Sequence, residues 1–424
     1  MKKDIMDTDF LKIAVVSDLH FIDKQAVMDE GKASWLTIDE QNNPTTNLWK
    51  ELIAKIEREK IHADMLVCPG DITTNANEKG LFCAWEKLQD LKKALSSKVL
   101  AVATGNHDVQ SRPVEITNPV RDLNYINDLT ENLKKLSPEY PLVAESVTDE
   151  DKKHDNRVHY FGTDYLIYDD SKEYRLIIFN SCGRHSSNKE TYEKGYISES
   201  TLNWLDRSLK KIYDRKNKKI GIFLCHHHPI QHEDKNLGAY DFMQRGTELL
   251  ALLNKYGDWI VIHGHKHHAK ISYSAGGSKR SVVFAAGTLS SHKALLGEDG
   301  FQNQFYILRI HKTKIRGGLK GTVQAWSWKG NQWSISKSIK DGIFTGVGFG
   351  LENCIEDLAE RISNDVSNPI PVDWEKLKET HDDLNYLMPT DYEHLKEELS
   401  NFDIDINYND DGEIESLSKT EKAT

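Results

Sequence analysis

Five apolar runs, each closed by a short polar motif, recur along this 424-residue chain and leave it few ways to fold. Ile13 to Val16 leads into Asp18-Leu19-His20, Met65 to Val67 into Gly70-Asp71, and Val99 to Ala103 into Gly105-Asn106-His107-Asp108. Ile220 to Leu224 leads into His226-His227-His228-Pro229, and Trp259 to Ile262 into Gly264-His265-Lys266-His267. Runs this short and this rich in β-branched residues read as buried strands. Each motif then stands at the carboxyl end of a strand, where open α/β sheets build their sites. Asp, Asn and His supply carboxylate, amide oxygen and neutral imidazole, the donors that divalent cations of hard or borderline character take.

Helical periodicity fills the gaps between the runs. Trp49, Leu52, Ile53 and Ile56 share one face, as do Leu202, Leu205, Leu209 and Ile212 behind a Ser198 cap. Strand, helix, strand predicts a layered α/β body. After His267 the pattern turns to strands alone, at Val282 to Ala285, Phe305 to Ile310 and Val323 to Trp328.

The order D-x-H, G-D, G-N-H-D, His before proline and G-H-x-H resembles the calcineurin-like metallophosphoesterase superfamily over roughly residues 11 to 311. The resemblance implies a four-layer α/β/β/α sandwich and two divalent metal ions, with Mn²⁺ favoured and Fe, Zn, Ni or Co as alternatives. By the same resemblance Asp18, His20 and His267 would hold one metal, and Asn106, His227 and His265 the other, with Asp71 bridging. His226, His227 and His228 are not separable by residue type; the family frame counts two positions back from Pro229 and selects His227. His107 is expected to stabilise phosphoryl oxygens or protonate the leaving group, and Asp108 to orient its ring.

Departures narrow the branch. Thr74 stands where purple acid phosphatases carry a tyrosine, and Gly70-Asp71-Ile72-Thr73-Thr74-Asn75-Ala76 lacks the protein phosphatase signature. Gly195-Tyr196-Ile197, Leu202-Asn203-Trp204-Leu205, the His-His-Pro turn and Ala286-Gly287-Thr288 resemble class III cyclic-nucleotide phosphodiesterases. The implied activity is hydrolysis of a phosphodiester, a small or cyclic nucleotide, by in-line attack of a water that the metals acidify towards about pH 7. A nuclease is the alternative, and a metal-binding scaffold that recruits a partner is the second. No basic run interleaved with aromatics favours the nuclease, and no ligand is missing as a degenerate scaffold would require.

Charge is unevenly spread. Residues 351–424 hold 21 Asp and Glu against 6 Lys and Arg, so the remainder of this chain of net charge −11 is mildly basic. Two regions are therefore expected: a catalytic body over 1–340, with 109–170 as a possible cap carrying Arg112, Arg121, Tyr125 and a helix from Asp122 to Leu136, and an acidic helical extension over 341–424. That extension is expected to be disordered from Asn407 on, to be removable near Gly350 without loss of fold, and to offer a protein-partner or homo-oligomer surface. Arg184 and His185 are placed near the site rim. Cys68, Cys83, Cys182, Cys225 and Cys354 show no paired spacing and read as reduced core thiols. Neither a long apolar run nor a signal-peptide core is present, so a soluble, cytoplasmic protein without membrane contact is expected.

Overall fold

All five motif-bearing runs are strands, and they divide between two sheets. The computed structural model describes residues 7–23, 36–38, 47–110, 129–185, 191, 194–231, 241–275, 280–291, 303–313, 318–338, 343–366 and 370–420. In chain order the first half contains β1 (Phe10–Val15), α1 (Leu48–Glu59), β2 (Met65–Cys68), α2 (Glu78–Ala94), β3 (Val99–Val102), α3 (Glu131–Lys134), β4 (Leu142–Ala144), α4 (Glu150–Thr163), β5 (Tyr165–Tyr168) and β6 (Tyr174–Phe179). Then come α5 (Glu199–Ile212), β7 (Ile220–Leu224), α6 (Gly246–Lys255), β8 (Trp259–His263), β9 (Lys270–Tyr273), β10 (Val282–Ala285), β11 (Gln304–His311), β12 (Gly321–Trp328), β13 (Trp333–Ile335) and β14 (Gly348–Phe349). The chain closes with α7 (Ile355–Ser363), β15 (Val372–Asp373), α8 (Trp374–Thr380), α9 (Pro389–Ser400), β16 (Ile404–Tyr408) and β17 (Ile414–Lys419).

The first sheet runs β13-β12-β11-β1-β2-β3-β4, with β14 also on β12, and β1, β2 and β3 are parallel at its centre. The second runs β5-β6-β7-β8-β10-β9, with β6, β7, β8 and β10 parallel. Side-chain alternation in the second sheet shows how it is covered. Ile220, Ile222 and Leu224 join Ile260 and Ile262 in the core shared with the first sheet. Phe223, Cys225, Trp259 and Val261 pack the other way, against Leu202, Leu205 and Leu209 of α5 and Leu249, Leu250 and Leu253 of α6. With α1 and α2 covering the first sheet, this is the expected four-layer arrangement. Helix starts follow local chemistry: the side chains of Asn47, Asn77 and Ser198 each accept a backbone N–H from the first turn.

Two expectations change here. The described part of the 109–170 segment is built into the fold, since β4 extends the first sheet and β5 the second. Thr104 Oγ1 ties it down, 2.9 Å from Tyr140 Oη and 2.8 Å from Tyr160 Oη, directly before the Asn106 motif. Arg112, Arg121, Tyr125 and the start of the expected Asp122 helix lie outside the described residues; of its remainder, 129–136, only Glu131–Lys134 is helical.

The second change concerns the C-terminal extension, whose described residues past Asn407, to Thr420, form regular structure. β16 and β17 form a hairpin, and β15 joins it in a three-stranded sheet ordered β15-β17-β16. With α7, α8 and α9 this makes a small unit of three helices and a hairpin wing. The unit shares the body's core: Leu358, Ile362, Trp374, Leu387 and Leu395 belong to the same buried cluster as Phe344, Val347 and Phe349. Hydrogen bonds seal the contact, with Gly348 N–H donating to Leu387 O at 2.8 Å, Tyr392 Oη to Gly346 O at 2.9 Å, and His311 Nε2 lying 2.9 Å from Tyr386 Oη. No helix among the described residues is long and apolar enough to cross a membrane.

Candidate metal centre

Three of the five motifs leave their strands through left-handed backbone. Asp18, His20, Asp71, His265 and His267 all have φ between 51° and 78°, the left-handed region that non-glycine residues rarely adopt. Backbone strain concentrated in this way marks positions that the surroundings hold for a purpose. The glycines between them allow the loops to touch: a Cβ on Gly105 would collide with the backbone and carboxylate of Asp71.

The first group of donors is Asp18, His20 and His267. His20 Nε2 and His267 Nε2 approach to 3.1 Å, and His267 Nε2 lies 3.4 Å from Asp18 Oδ1. Each ring is steadied through its far nitrogen, His267 Nδ1 at 2.7 Å from Ser291 Oγ and His20 Nδ1 at 3.3 Å from Thr74 Oγ1. Such outer hydrogen bonds fix which nitrogen a metal sees. Asp18 is held in turn by the Ser17 hydroxyl and by the His265 N–H at 3.2 Å.

The second group brings both His226 and His227 to His265, one nitrogen of each lying within 4.8 Å of the others. His226, not His227, stands beside Asn106, with Nε2 2.9 Å from Asn106 Oδ1, 3.3 Å from Asp71 Oδ2 and 3.2 Å from His265 Nδ1. Its Nδ1 lies 3.1 Å from Pro69 O and donates to it, so Nε2 is the nitrogen turned towards Asn106 and Asp71. His265 Nδ1 completes the group at 3.0 Å from Asn106 Oδ1. The cause is strand alternation continued past the end of β7. Residues 220, 222 and 224 face the first sheet, so 226 does as well, and the first sheet delivers Asp71 and Asn106. Counting back from Pro229 loses this parity. His227 turns the other way, towards Ser181 Oγ at 2.8 Å.

Asp71 joins the two groups: its Oδ2 is 3.3 Å from His226 Nε2 and 4.0 Å from His20 Nε2, while its Oδ1 accepts the His107 N–H at 2.7 Å. Asp108 also departs from expectation. Its carboxylate accepts the backbone N–H groups of Asp71 at 2.9 Å, Thr73 at 3.1 Å and Gly105 at 2.9 Å, so it shapes the Asp71 loop rather than orienting the His107 ring. The His107 ring sits edge-on to His20, centroids 4.9 Å apart, and its Nδ1 accepts the Asn75 N–H at 3.3 Å. An accepting Nδ1 leaves the neutral ring's proton on Nε2, available as an acid.

Asp241 is the residue that sequence reasoning missed. Its Oδ2 lies 3.3 Å from His265 Nε2 and pairs with Lys266, giving the carboxylate–histidine arrangement that orients metal-binding imidazoles. Nothing in the polar stretch around it distinguishes this aspartate. Asp241→Ala should therefore weaken cation binding by about 10- to 100-fold, read by titration with Mn²⁺, and leave the melting profile of the metal-free protein close to wild type. Affinity within twofold of wild type would remove Asp241 from the site. Ser291 was also missed, although Ala286-Gly287-Thr288, which leads to it, is legible. Arg184 stacks over Tyr196 with its guanidinium 4.2 Å from the ring centre, and His185 is buried beside His227.

The donors suit two cations. Burial disfavours a charged His226, yet the Asp71 carboxylate beside it pushes it up to about 9. Carboxylates that stabilise a proton at Nε2 would stabilise a metal ion there. Burial drives His20 down to about 4 and His265 to about 3, keeping both rings in the neutral form that ligates.

Residues 11–269 match the family described as calcineurin-like phosphoesterase, and residues 347–401, which contain α7 to α9 and stop short of the hairpin, match the one described as wHTH-Calcineurin_assc. A search of curated proteins found no match. Among solved structures the chain is similar to a purple acid phosphatase from yellow lupin (Lupinus luteus), at 14% identity and a TM-score of 0.42, over 77% of this chain and 52% of that one. It is also similar to the sulfate thiohydrolase SoxB of Thermus thermophilus (13%, TM-score 0.34, 76% of this chain and 57% of that one) and to a metallophosphoesterase from Sphaerobacter thermophilus (11%, TM-score 0.25, 71% and 84%). The chain thus spans about half the length of the lupin enzyme. With a family match over most of the body, and the motif residues gathered at one point between the sheets, the chain belongs to the calcineurin-like phosphoesterases, a family of metal-dependent phosphoric ester hydrolases.

Proposed function

We propose that this chain is a dinuclear phosphodiesterase acting on a small or cyclic nucleotide, with Mn²⁺ as the favoured metal. In this reading Asp18, His20 and His267 hold one cation, Asn106, His226 and His265 the other, and Asp71 both. The position of Asp71 Oδ2 between the two histidine groups is the observation that carries it. Bound cations would supply Lewis acidity and a water acidic enough to attack phosphorus at neutral pH. His107 presents Nε2–H to the leaving oxygen while its backbone N–H fixes Asp71, so one residue positions the bridge and serves the departing group. Asp108 keeps the loop of Asp71 in register through its three backbone hydrogen bonds. Chelation should abolish turnover, and Mn²⁺ should restore it better than Ca²⁺, which fits imidazole poorly. A panel of cyclic mononucleotides, dinucleotides, nucleic acids and nitrophenyl mono- and diesters tests the substrate class. Turnover of monoesters alone would contradict it.

The winged unit is proposed to dock a protein or a second copy of the chain rather than nucleic acid. α9 carries Asp391, Glu393, Glu397 and Glu398 against Lys396, and the hairpin carries Asp405, Asp410, Asp411, Glu413 and Glu415 against Lys419. Phosphate recognition demands the opposite sign. Full-length protein should show no retardation of duplex DNA at low salt. Retardation that weakens steeply with salt would reverse this assignment.

A further inference from the structure

His227, displaced from the position that the family frame gives it, lies among other potential ligands. Cys182 and His185 follow β6, and one donor atom from each of Cys182, His185 and His227 falls within 4.8 Å of the other two, all three side chains being buried. Both rings are anchored through one nitrogen. His185 Nε2 is 3.0 Å from Lys194 O, and His227 Nδ1 is 2.8 Å from Ser181 Oγ. The second nitrogens, His185 Nδ1 and His227 Nε2, are buried without a hydrogen-bond partner. A buried polar nitrogen without a partner is destabilising, and two beside a thiol form a set that a metal would satisfy.

We propose that Cys182, His185 and His227 form a third metal site, next to the dinuclear one, that takes a zinc-class cation through one thiolate and two imidazoles and leaves its fourth position open. The thiolate separates this site from the oxygen and imidazole donors beside it and favours a softer cation. Donors around tetrahedral zinc stand roughly 3.5 Å apart, so closure needs side-chain movement on the order of 1 Å. Burial pushes the His185 ring down to about 3, which keeps it neutral, and pushes the Cys182 thiol up. Metal binding therefore replaces the S–H bond by a metal–sulfur bond, the proton passes to solvent, and no oxidation state changes. Cys182 Sγ now lies 3.3 Å from Thr104 O, an interaction that ligation would give up. His227 and His265 have ring centres 4.5 Å apart, so a cation there would adjoin the second metal of the dinuclear pair.

The test is dialysis of the full-length protein against Co²⁺, reading bound metal per chain and the near-ultraviolet thiolate-to-cobalt band. Three equivalents and a band are expected. Cys182→Ser, which keeps a hydrogen-bonding group for Thr104 O, should lose the band and one equivalent while retaining two; His185→Gln should also lose one. A wild-type protein without the band, or a band that survives Cys182→Ser, overturns the proposal. The dinuclear reading has its own outcome, because it requires two equivalents in the Cys182→Ser protein whatever the band does.

Discussion

His226→Ala is expected to lower phosphodiester hydrolysis by at least about 10³-fold and to remove one of the two cations at the dinuclear centre, whereas His227→Ala should retain both. The loss falls in the upper part of the roughly 10²- to 10⁴-fold range of a lost acid–base group or beyond it, because a ligand and its charge balance go together. His226 Nε2 is within 3.3 Å of Asn106, Asp71 and His265, and its removal would leave Asp71 buried beside a gap. His227 meets this group through ring contacts, with one nitrogen within 4.8 Å of those of His226 and His265, but it makes no hydrogen bond to Asn106 or Asp71. Metal analysis of the two variants decides the matter. The reverse pattern, with His227→Ala losing a dinuclear cation, would restore the proline-counted frame.

Ending the chain at Gly350 should destroy the solubility of the body. Truncation would uncover Phe344, Val347 and Phe349, which the winged unit now buries, and break the hydrogen bonds to Leu387, Tyr386 and Tyr392. Removing a single large buried side chain costs about 2–5 kcal/mol, comparable with the net stability of a domain, and here several partners leave at once. Aggregation on size exclusion, or a melting midpoint lowered by more than about 10 °C, is expected. A monomeric truncation that melts like the full chain would make the extension separable, as its acidity suggests.

That acidity is why the wing was illegible. Ile404, Ile406 and Leu417 are buried, Asp405 is exposed, and Asn409-Asp410-Asp411-Gly412 makes the turn, so the period-two pattern and the turn signal were both present. Dense charge, read as disorder, masked them. The body was easier because its strands are buried on both faces and end in motifs: Ile13, Val67, Val102, Leu224 and Ile262 each point to a site loop. His226 was recoverable from alternation alone, and was lost only by counting from Pro229 instead of from Leu224. Asp241 and the Cys182–His185–His227 cluster could not be read, because residues brought together by two sheets carry no common spacing in the chain.

The central claim is that Asp71 stands between two cations held by different halves of the fold. Anomalous scattering from crystals of the full-length protein grown with Mn²⁺ tests it directly. Two peaks about 3.5–4 Å apart are expected, with Asp71 between them, one near His20 and His267 and the other near His226 and His265. A single peak, or a pair that leaves Asp71 unshared, would contradict the account.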